Sequence, residues 1–360
     1  MTETAMTPAI TTRKTENSRL ASIDWNHLPF GRIFTDHMLS MDYRDGVWQK
    51  AEIMPFGPLS LYPGNATLHY GQAIFEGMKA VRAKDGRITL FRPELNARRF
   101  NESSVRLRMP TIDEDLFIEL VKAQVRFERD WIPHSADASL YIRPFAFATD
   151  EFLGVRPSET YKFMVLTCPV GSYYAEPVSV KIEEHFTRAA EGGVGRAKTA
   201  GNYAASLYPT KLANDEGFHQ LIWTDGKEHQ YLEESGTMNL VLVIDGVILS
   251  PSEDSDTILR SVVKRSVVEL AKHWGLPVEE RRISVEEVIT AIREGRLSDA
   301  FGAGTAATIA PIASIGFRGE LFELPPVGSR VISNRIKAYL DGIKSGDCAD
   351  ELGWCTQVEV

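Results

Sequence analysis

The chain has 360 residues, of which 43% are hydrophobic and 25% charged, and its formal net charge is −9. This composition excludes a disordered chain, a collagen and a coiled-coil rod, and a chain of this length needs no disulfide or metal ion to fold. The acidic balance, without a dense basic stripe, argues against nucleic-acid binding and favours small molecules or other protein chains as partners.

The first half of the chain alternates hairpin and helix signals. Its predicted elements are strands at 77–83 and 87–91, a helix at about 94–105, a helix opened by the capping box Thr111-Ile-Asp-Glu114, and strands at 140–147 and 161–167. Asp85-Gly86 joins the first two strands, because this dipeptide tolerates the positive φ angles of a type I′ turn.

The second half follows the same mixed pattern. Its predicted elements are strands at 178–183 and 220–223, a Gly-rich loop at 191–195, a helix near 204–214, a strand pair at 238–249 turning at Asp245-Gly246, a helix at about 258–273, a helix opened by the capping box Ser284-Val-Glu-Glu287, a Gly/Ala/Thr-rich segment at 300–312 and a helix at 331–343. Hairpins mixed with helices in both halves predict an α/β fold of the mixed, α+β kind. The sequence has no GxGxxG, so no Rossmann unit is expected.

The composition divides the chain into a frayed tail (1–22), a smaller N-terminal α/β domain (23–167), a Pro/Gly-rich linker (168–177) and a larger C-terminal α/β domain (178–360). No apolar run approaches the roughly 18 residues of a membrane span. Three widely spaced cysteines without a CxxC pair indicate a reducing compartment, and the scattered histidines give no support for a metal site. We therefore expect a cytoplasmic protein without a metal ion.

A lysine in a loop of small residues is the first candidate for chemistry. Lys198 follows Gly192-Gly-Val-Gly195, and small neighbours let a flat ligand approach the backbone. A lysine with a lowered pKa in a dry pocket can form a Schiff base with a carbonyl compound. Taken alone, the segment fits an exposed lysine on a flexible surface loop as well.

Four other segments carry groups that suit an anionic or acid–base site. Glu234 precedes an apolar strand and could hold a proton, although an acidic turn explains it too. Phe301-Gly-Ala-Gly-Thr305 could form an anion-binding nest, or a packed strand end. Arg99, like Arg92, could bind phosphate or lie on a helix surface. Tyr141 and Arg143 share a strand face and could bind a carboxylate, or lie at a core edge.

Taken together, the motifs resemble the branched-chain amino acid aminotransferases, which are fold-type-IV pyridoxal phosphate enzymes of the class IV aminotransferase family. The resemblance runs from about Phe30 to Ile343. It is carried by the ordered segments 30–37, Leu68-His-Tyr70, Phe75-Glu-Gly-Met, Phe91-Arg-Pro to Arg99, Leu140-Tyr-Ile-Arg-Pro144, Gly192 to Tyr203, Glu234-Ser-Gly-Thr-Met-Asn239 and Phe301 to Ala306.

The resemblance implies a two-domain fold like that of D-amino acid aminotransferase, and pyridoxal 5′-phosphate as the cofactor. Lys198 would hold the cofactor covalently and shuttle a proton, Glu234 would keep the pyridine nitrogen protonated, and Tyr203 would donate to the phenolic oxygen. The residues implied around the phosphate and ring are Arg99, Arg188, Thr237, Ile258, Leu259 and Thr305.

The resemblance also implies the substrate pocket and a homodimer. The implied substrate residues are Phe30, Tyr70, Phe75, Tyr141, Arg143, Leu153, Val155, Thr237, Thr305 and Ala306. Three of them, Tyr70, Leu153 and Val155, would be lent by the partner subunit. Arg143 would serve the glutamate half-reaction, because burying an unpaired carboxylate costs several kcal/mol.

The implied reaction is reversible ping-pong transfer of an amino group between L-leucine, L-isoleucine or L-valine and 2-oxoglutarate. The alternatives on the same fold are a D-amino acid aminotransferase and an aminodeoxychorismate lyase, and a non-catalytic cofactor-binding protein is the alternative of another class. The segment Ser255-Asp-Thr-Ile-Leu-Arg260 departs from the family, because many relatives carry Pro-Gly there and Asp256 adds a carboxylate near the phosphate. The linker is also shorter than in some relatives.

Overall fold

The chain forms two compact units in the computed structural model, which describes residues 10–135, 137–171 and 176–359. The first unit contains the described residues up to 171, the short segment Lys198–Ala200 and the end of the chain from Gly342. The second unit contains residues 176–197 and Gly201–Asp341. The lysine singled out in the sequence therefore groups with the first unit, although its neighbours Ala197 and Gly201 belong to the second.

These units differ from the expected domains at both ends of the chain and at the linker. The last residues return to the first unit because the strand at Cys355–Val358 pairs with the strand at Ile88–Phe91. The expected linker begins inside a strand that continues to Val170, and its residues 172–175 lie outside the described residues. Of the expected frayed tail, residues 1–9 lie outside the described residues, whereas Thr11–Thr12 pair with a strand.

The first unit is built on one large sheet. Its strands are β1 (Thr11–Thr12), β2 (His37–Arg44), β3 (Val47–Trp48), β4 (Glu52–Pro55), β5 (Ala73–Phe75), β6 (Met78–Arg82), β7 (Ile88–Phe91), β8 (Ser139–Ala148), β9 (Tyr161–Val170) and, at the end of the chain, β19 (Cys355–Val358). The order is β1-β4-β2-β9-β8-β6-β7-β19, with β3 beside β2 and β5 beside β8. The pairing is antiparallel except between β1 and β4.

Three helices accompany this sheet in the described residues: α1 (Ala66–Tyr70), α2 (Pro93–Arg106) and α3 (Glu114–Phe127). The core between α2, α3 and the sheet contains Phe100, Phe117 and Phe163, whose ring centroids lie 5.1 to 5.7 Å apart. Asp113 caps α3 by accepting the backbone N–H of Leu116, so the predicted capping box at Thr111 is wrong by two residues. Aromatic packing at these distances contributes beyond the area that it buries.

The second unit contains a mixed sheet. Its strands are β10 (Val178–Ile182), β11 (Gln220–Thr224), β12 (Leu232–Ser235), β13 (Met238–Ile244), β14 (Val247–Pro251), β15 (Val278–Arg281), β16 (Leu297–Gly304), β17 (Thr308–Phe317) and β18 (Glu320–Glu323). The order is β12-β11-β10-β17-β16-β13-β14-β15, with β18 beside β17 and β12 also paired with β13. Pairs β10–β11, β10–β17 and β14–β15 are parallel, which gives the mixed α/β architecture that the sequence predicts.

The remaining helices in the described ranges are α4 (Ala200–Asp215), α5 (Val262–His273), α6 (Val285–Arg293) and α7 (Val331–Ser345). Ser284 caps α6 by accepting the Glu287 N–H, as the capping box predicts. Ser261 caps α5, so this helix begins at Val262 and not near Ile258; Ile258 and Leu259 lie in the preceding loop. Helix α4 begins earlier than predicted and retains Pro209 in its interior.

The two Asp-Gly hairpin turns differ from each other. Asp245 and Gly246 both have positive φ, at 52° and 78°, as a type I′ turn requires. At the other hairpin Gly86 has φ 87° and Asp85 is not in this region, so the predicted hairpin forms but its turn is not type I′.

Candidate active site

The backbone around Lys198 is held tightly to the first unit. The Lys198 N–H donates to Ser103 Oγ at 2.9 Å on α2, and the Lys198 carbonyl accepts the N–H of Phe75 at 3.0 Å. Thr199 forms an isolated bridge with Ile74 and donates its hydroxyl to the Ala73 carbonyl at 3.0 Å. These hydrogen bonds place residues 198–199 alongside β5. The backbone from which the Lys198 side chain extends is therefore held in place. Its Nζ lies 4.9 Å from the centroid of the Phe75 ring.

A buried carboxylate lies within electrostatic reach of this lysine. Glu76 is fully buried and forms a bidentate ion pair with Arg99, with Nε–Oε1 and Nη2–Oε2 distances of 2.7 Å. Asn96 Nδ2 donates to Glu76 Oε2 at 2.8 Å. Burial acts to raise the pKa of Glu76, but the charges of Arg99 and then Lys198, with the hydrogen bonds, hold it below its ordinary value.

Glu76 is not among the site residues predicted from the sequence. It stands inside the quoted segment Phe75-Glu-Gly-Met, and a charged residue between short apolar strands was the available signal. Arg99, predicted to hold the phosphate, lies on the buried face of α2 with its guanidinium against Glu76.

An arginine between aromatic rings forms the second cluster of the first unit. Arg143 on β8 donates from Nη2 to the Tyr141 hydroxyl at 2.8 Å. Its guanidinium carbon lies 4.7 Å from the Phe75 ring centroid and 5.3 Å from that of Tyr141. Phe30 packs edge-on against Tyr141 with centroids 4.8 Å apart. Four predicted substrate residues are thus brought together.

Glycine at position 77 is required by this cluster. A Cβ added to Gly77 would lie 2.5 Å from the Tyr141 hydroxyl oxygen, closer than real Cβ atoms approach. The Gly77 N–H also donates to Glu76 Oε2 at 3.2 Å. The Glu-Gly pair therefore lets the aromatic cluster and the buried carboxylate share one short stretch of backbone.

The three residues predicted to serve a partner subunit lie on the surface of the first unit. Tyr70 is 48% exposed, Leu153 61% and Val155 91%. The same surface of α1 and the segment after β8 also exposes Leu68 and Phe152. Large apolar side chains concentrated in two neighbouring segments are typical of a surface that is covered in an assembly.

In the second unit, Glu234 lies at the end of β12, where the chain turns into β13. It is buried, and its Oε1 accepts the backbone N–H of Leu259 at 2.6 Å. Arg188 Nη2 lies 3.2 Å from the same oxygen. Asn239 Nδ2 donates to the Leu259 carbonyl at 3.0 Å. The backbone N–H and the carbonyl of Leu259, in the loop after β14, are thus both hydrogen bonded to side chains of β12 and β13.

Arg188 also connects this carboxylate to two loops. It donates from Nη2 to the Thr257 carbonyl and, at 3.3 Å, to the Gly195 carbonyl. A Cβ on Gly195 would lie 2.6 Å from the Thr257 carbonyl oxygen, so the two loops approach as closely as glycine permits. Arg188 Nε is buried without a hydrogen-bond partner among the residues that the structure describes. A buried donor of this kind suits an anion.

The other predicted cofactor residues of the second unit lie in turns and at a helix start. Thr237 is exposed in the β12–β13 turn, Thr305 and Ala306 form part of the β16–β17 turn, and Tyr203 is half-buried in the first turn of α4. A Cβ on Gly304 would lie 2.9 Å from Met238 Cγ, which explains the small residues of this strand end. Asp256, unexpected in this loop, lies 3.5 Å from Arg196 and is half exposed.

Glu233 is a second buried carboxylate, which the sequence analysis did not single out. Burial raises the pKa of Glu233 to about 7, and the charge of Glu234 adds to this rise. The hydrogen bond with Thr257 and the charge of Arg188 act in the opposite direction.

In the described ranges no group of three or more His, Cys, Asp or Glu is placed to bind a metal ion.

Comparison with known proteins adds relatives to this geometry. The chain matches the family model described as amino-transferase class IV over residues 73–315. It is 46% identical over 339 residues to branched-chain-amino-acid aminotransferase 2 of Bacillus subtilis (strain 168), and the match covers 93% of each chain.

Two solved structures are similar over most of the chain. The branched-chain amino acid aminotransferase from Escherichia coli matches with a TM-score of 0.71 and 25% identity, covering 90% of this chain and 99% of that one. The T.th. enzyme of the same name, complexed with N-(5′-phosphopyridoxyl)-L-glutamate, matches with a TM-score of 0.70 and 25% identity, covering 89% and 98%.

The chain belongs to the class IV aminotransferases. Its two units have the fold-type-IV architecture, and the enzymes of this family depend on pyridoxal 5′-phosphate. The resemblance predicted from the sequence motifs is thereby confirmed. No helix in the described part of the chain is long and apolar enough to cross a membrane.

Proposed function

We propose that the chain is a branched-chain amino acid transaminase, which moves an amino group reversibly between L-leucine, L-isoleucine or L-valine and 2-oxoglutarate. The products are the branched-chain 2-oxo acid and L-glutamate. The observation that carries this proposal is the Arg143 guanidinium between the Phe75 and Tyr141 rings. A largely apolar cluster with one cation at its edge suits both an aliphatic side chain and a γ-carboxylate.

The side chains present fit pyridoxal 5′-phosphate. When bound, this cofactor supplies an electron sink that makes the Cα proton of an amino acid removable. In the second unit, the Arg188 Nε, which lacks a partner within the described ranges, and the close-packed loops at Gly195 and Thr257 fit an anionic group. There Arg188, the Ile258 and Leu259 amides and Thr305 would hold the phosphate, and Arg99 is the further phosphate residue that the family resemblance implies.

The catalytic roles would fall to Lys198, Glu234 and Tyr203. Lys198 would hold the cofactor through its amino nitrogen and move a proton at the substrate Cα. Glu234 would hold a proton at the ring nitrogen, and its carboxylate is oriented for this by the Leu259 N–H and Arg188. Tyr203 would donate to the phenolic oxygen, and Thr237 with Ala306 would lie near the cofactor and the substrate carboxylate.

Substrate selection would rest on the cluster of the first unit. Phe30, Phe75 and Tyr141 offer aromatic surface to a branched side chain. Arg143 is retained beside it by the Tyr141 hydroxyl and by cation–π contacts, which stabilise a desolvated guanidinium. The same cation is then available to the glutamate carboxylate in the second half-reaction.

A second copy of the chain would complete the site. Tyr70, Leu153 and Val155 are exposed in the single chain, although each is apolar enough to favour burial. We propose a homodimer in which these side chains are lent to the partner's substrate pocket.

The described cysteines are all free, including the exposed Cys348, which supports a reducing compartment such as the cytoplasm.

A spectral titration tests the reaction. L-leucine should change the visible absorbance spectrum of the reconstituted enzyme and release one equivalent of the 2-oxo acid. Addition of 2-oxoglutarate should then restore the original spectrum. Conversion by D-alanine but not L-leucine would instead establish a D-amino acid aminotransferase. Pyruvate release from aminodeoxychorismate would establish the lyase.

A further inference from the structure

Both the backbone and the side chain of Glu76 are held by several hydrogen bonds in addition to its ion pair with Arg99. Its backbone N–H donates to the Pro144 carbonyl at 2.7 Å, directly after Arg143, while the preceding Phe75 N–H donates to the Lys198 carbonyl. The residue is therefore fixed between the strand of the substrate cluster and the lysine segment. Its side chain is fixed in addition by Arg99, Asn96 and the Gly77 N–H.

Burial of this carboxylate is unfavourable by itself. A buried ion pair offsets its desolvation cost only where the geometry is good and the remaining lone pairs are hydrogen bonded, as they are here. The net gain in folding free energy from such a pair is small, so stability alone is a weak reason for it. A fully buried carboxylate beside two cations points to a role in the site that those cations serve.

Two cations act on the same buried anion. Arg99 forms two short contacts with Glu76, and the charge of Lys198 acts on the Glu76 carboxyl as well. In a region shielded from water, removing this negative charge would take away the bidentate partner of the Arg99 guanidinium and leave the charge of Lys198 less balanced. An ionised Glu76 therefore stabilises the charges of both Arg99 and Lys198.

We propose that Glu76 is a positioning residue for the reaction: its buried carboxylate holds the Arg99 guanidinium and balances the charge of Lys198, so that one anion organises both. This inference rests on the proposed function, which assigns Lys198 and Arg99 to the cofactor. Glu76 itself is assigned no bond to substrate or cofactor.

The test compares Glu76→Gln with wild type, and uses Glu94→Gln as the control. Glu94 pairs with Arg92 at 3.6 Å at the start of the same helix but is half exposed. The apoenzymes are titrated with pyridoxal 5′-phosphate and, separately, with pyridoxal, which lacks the phosphate. Glu76→Gln should weaken both by roughly tenfold, the equivalent of about one pKa unit of lost charge stabilisation. Glu94→Gln should bind both as wild type does.

The pH profile of the bound cofactor's visible absorbance separates positioning from a general loss of folding. A buried negative charge favours the protonated form of a neighbouring group, so removing it should lower the midpoint of the profile by about one pH unit. An unchanged midpoint, or weakening of pyridoxal 5′-phosphate alone, would overturn the inference. The latter would mean that Glu76 acts on Arg99 only.

The variant Glu76→Gln/Arg99→Gln covers the case in which Glu76→Gln fails to fold, because it removes the buried guanidinium together with its carboxylate partner. If Glu76 serves Lys198, this double variant still binds pyridoxal weakly. Recovery of wild-type pyridoxal affinity would show that the single variant suffered only from the lost contact with Arg99, and would contradict the inference. If wild type itself bound neither compound, the proposed function would fail and the inference with it.

Discussion

Arg143 keeps a positive charge beside two aromatic rings, and this placement answers the need to accept two unlike side chains. The Tyr141 hydroxyl accepts one N–H at 2.8 Å, whereas the buried Nε has no hydrogen-bond partner among the described residues. An unsatisfied buried donor is costly, so an incoming carboxylate gains more there than it would at a fully bonded guanidinium.

We expect Arg143→Met to weaken glutamate and 2-oxoglutarate use about tenfold to a hundredfold, the range for a charged hydrogen bond, and leucine use much less. Methionine keeps a similar apolar stem against the Phe75 ring while it removes the charge. The rates of the two half-reactions, measured separately by stopped-flow absorbance, test this prediction. Equal losses of rate for leucine and glutamate would show that Arg143 does not determine substrate specificity.

A second residue-scale effect concerns stability and pH. Burial, followed by the nearby charge of Asp36, raises the pKa of Glu128 from an ordinary 4.5 to about 8. Glu128 contacts His37 Nδ1, and His37 Nε2 accepts the Thr15 N–H at 2.8 Å, so this ring is neutral with its proton on Nδ1. Burial also lowers the pKa of His37, which agrees with the neutral ring.

The stabilising contribution of a protonated Glu128 is complete below about pH 4.5 and is lost as the pH rises through about 8. Glu128→Gln keeps the shape without the ionisation. We therefore expect the stability of this variant relative to wild type to rise between about pH 4.5 and about pH 8 in urea unfolding, and to be level above about pH 8. Glu119→Gln, at a partly exposed position of α3, serves as control, and a difference that does not change with pH would contradict the account.

At the scale of elements, the loop between β14 and α5 is held by a buried lysine of α5. Lys264 is fully buried and donates from Nζ to the Pro251 carbonyl at 2.9 Å, where the loop starts. Its Nζ also lies 3.2 Å from Glu253 and 3.1 Å from Glu280. Ser261 caps α5 where the loop ends. Both ends of the segment that contains Thr257 and Leu259 are thus fixed by α5.

Replacing Lys264 by methionine should loosen this loop. We expect a loss of about 2 kcal/mol in unfolding free energy, since a buried pair is broken but both acids can turn toward water. The affinity for pyridoxal 5′-phosphate should fall as well. Lys272→Met is the control, because Lys272 lies 4.0 Å from the same Glu280 but is mostly exposed. Equal effects of the two substitutions would show that Lys264 has no special hold on the loop.

The elements that could be predicted from the sequence are those with local signals. The cap at Ser284, the helix over 94–105 and the hairpin turn at Asp245-Gly246 follow from neighbouring residues, and the structure has them. The start of α5 could not be read, because Ile258 and Leu259 continue the apolar spacing of the helix although Ser261 interrupts it. The return of Cys355–Val358 to β7 depends on a pairing partner far away along the chain.

The candidate site divides in the same way. The resemblance supplied residues within recognisable motifs, among them Lys198, Glu234 and Arg143. It did not supply Glu76, whose importance arises from its contact with Arg99, 23 positions away, and from complete burial. Glu233 was likewise unreadable, because adjacent carboxylates in sequence say nothing about which of them is shielded from water. Each of these two assignments depends on packing between elements.

For the whole molecule, the exposed apolar surface predicts assembly. Val155→Asp should convert the dimer to a monomer in sedimentation analysis, because a charge is placed where a second copy would cover it. Activity should fall with it if Tyr70 and Leu153 act across the interface. Val47→Asp is the control, since Val47 is also exposed on the first unit but lies on a separate hairpin. A Val155→Asp protein that remained dimeric and fully active would exclude this surface from the interface.

The central claim for the molecule is that Lys198 is the residue to which pyridoxal 5′-phosphate is bonded. Reduction of the reconstituted enzyme with tritiated borohydride, followed by proteolysis and peptide sequencing, tests this directly. We expect one labelled peptide, with the label on Lys198, and no label in a Lys198→Ala variant. Label on another lysine, or none in wild type, would contradict it.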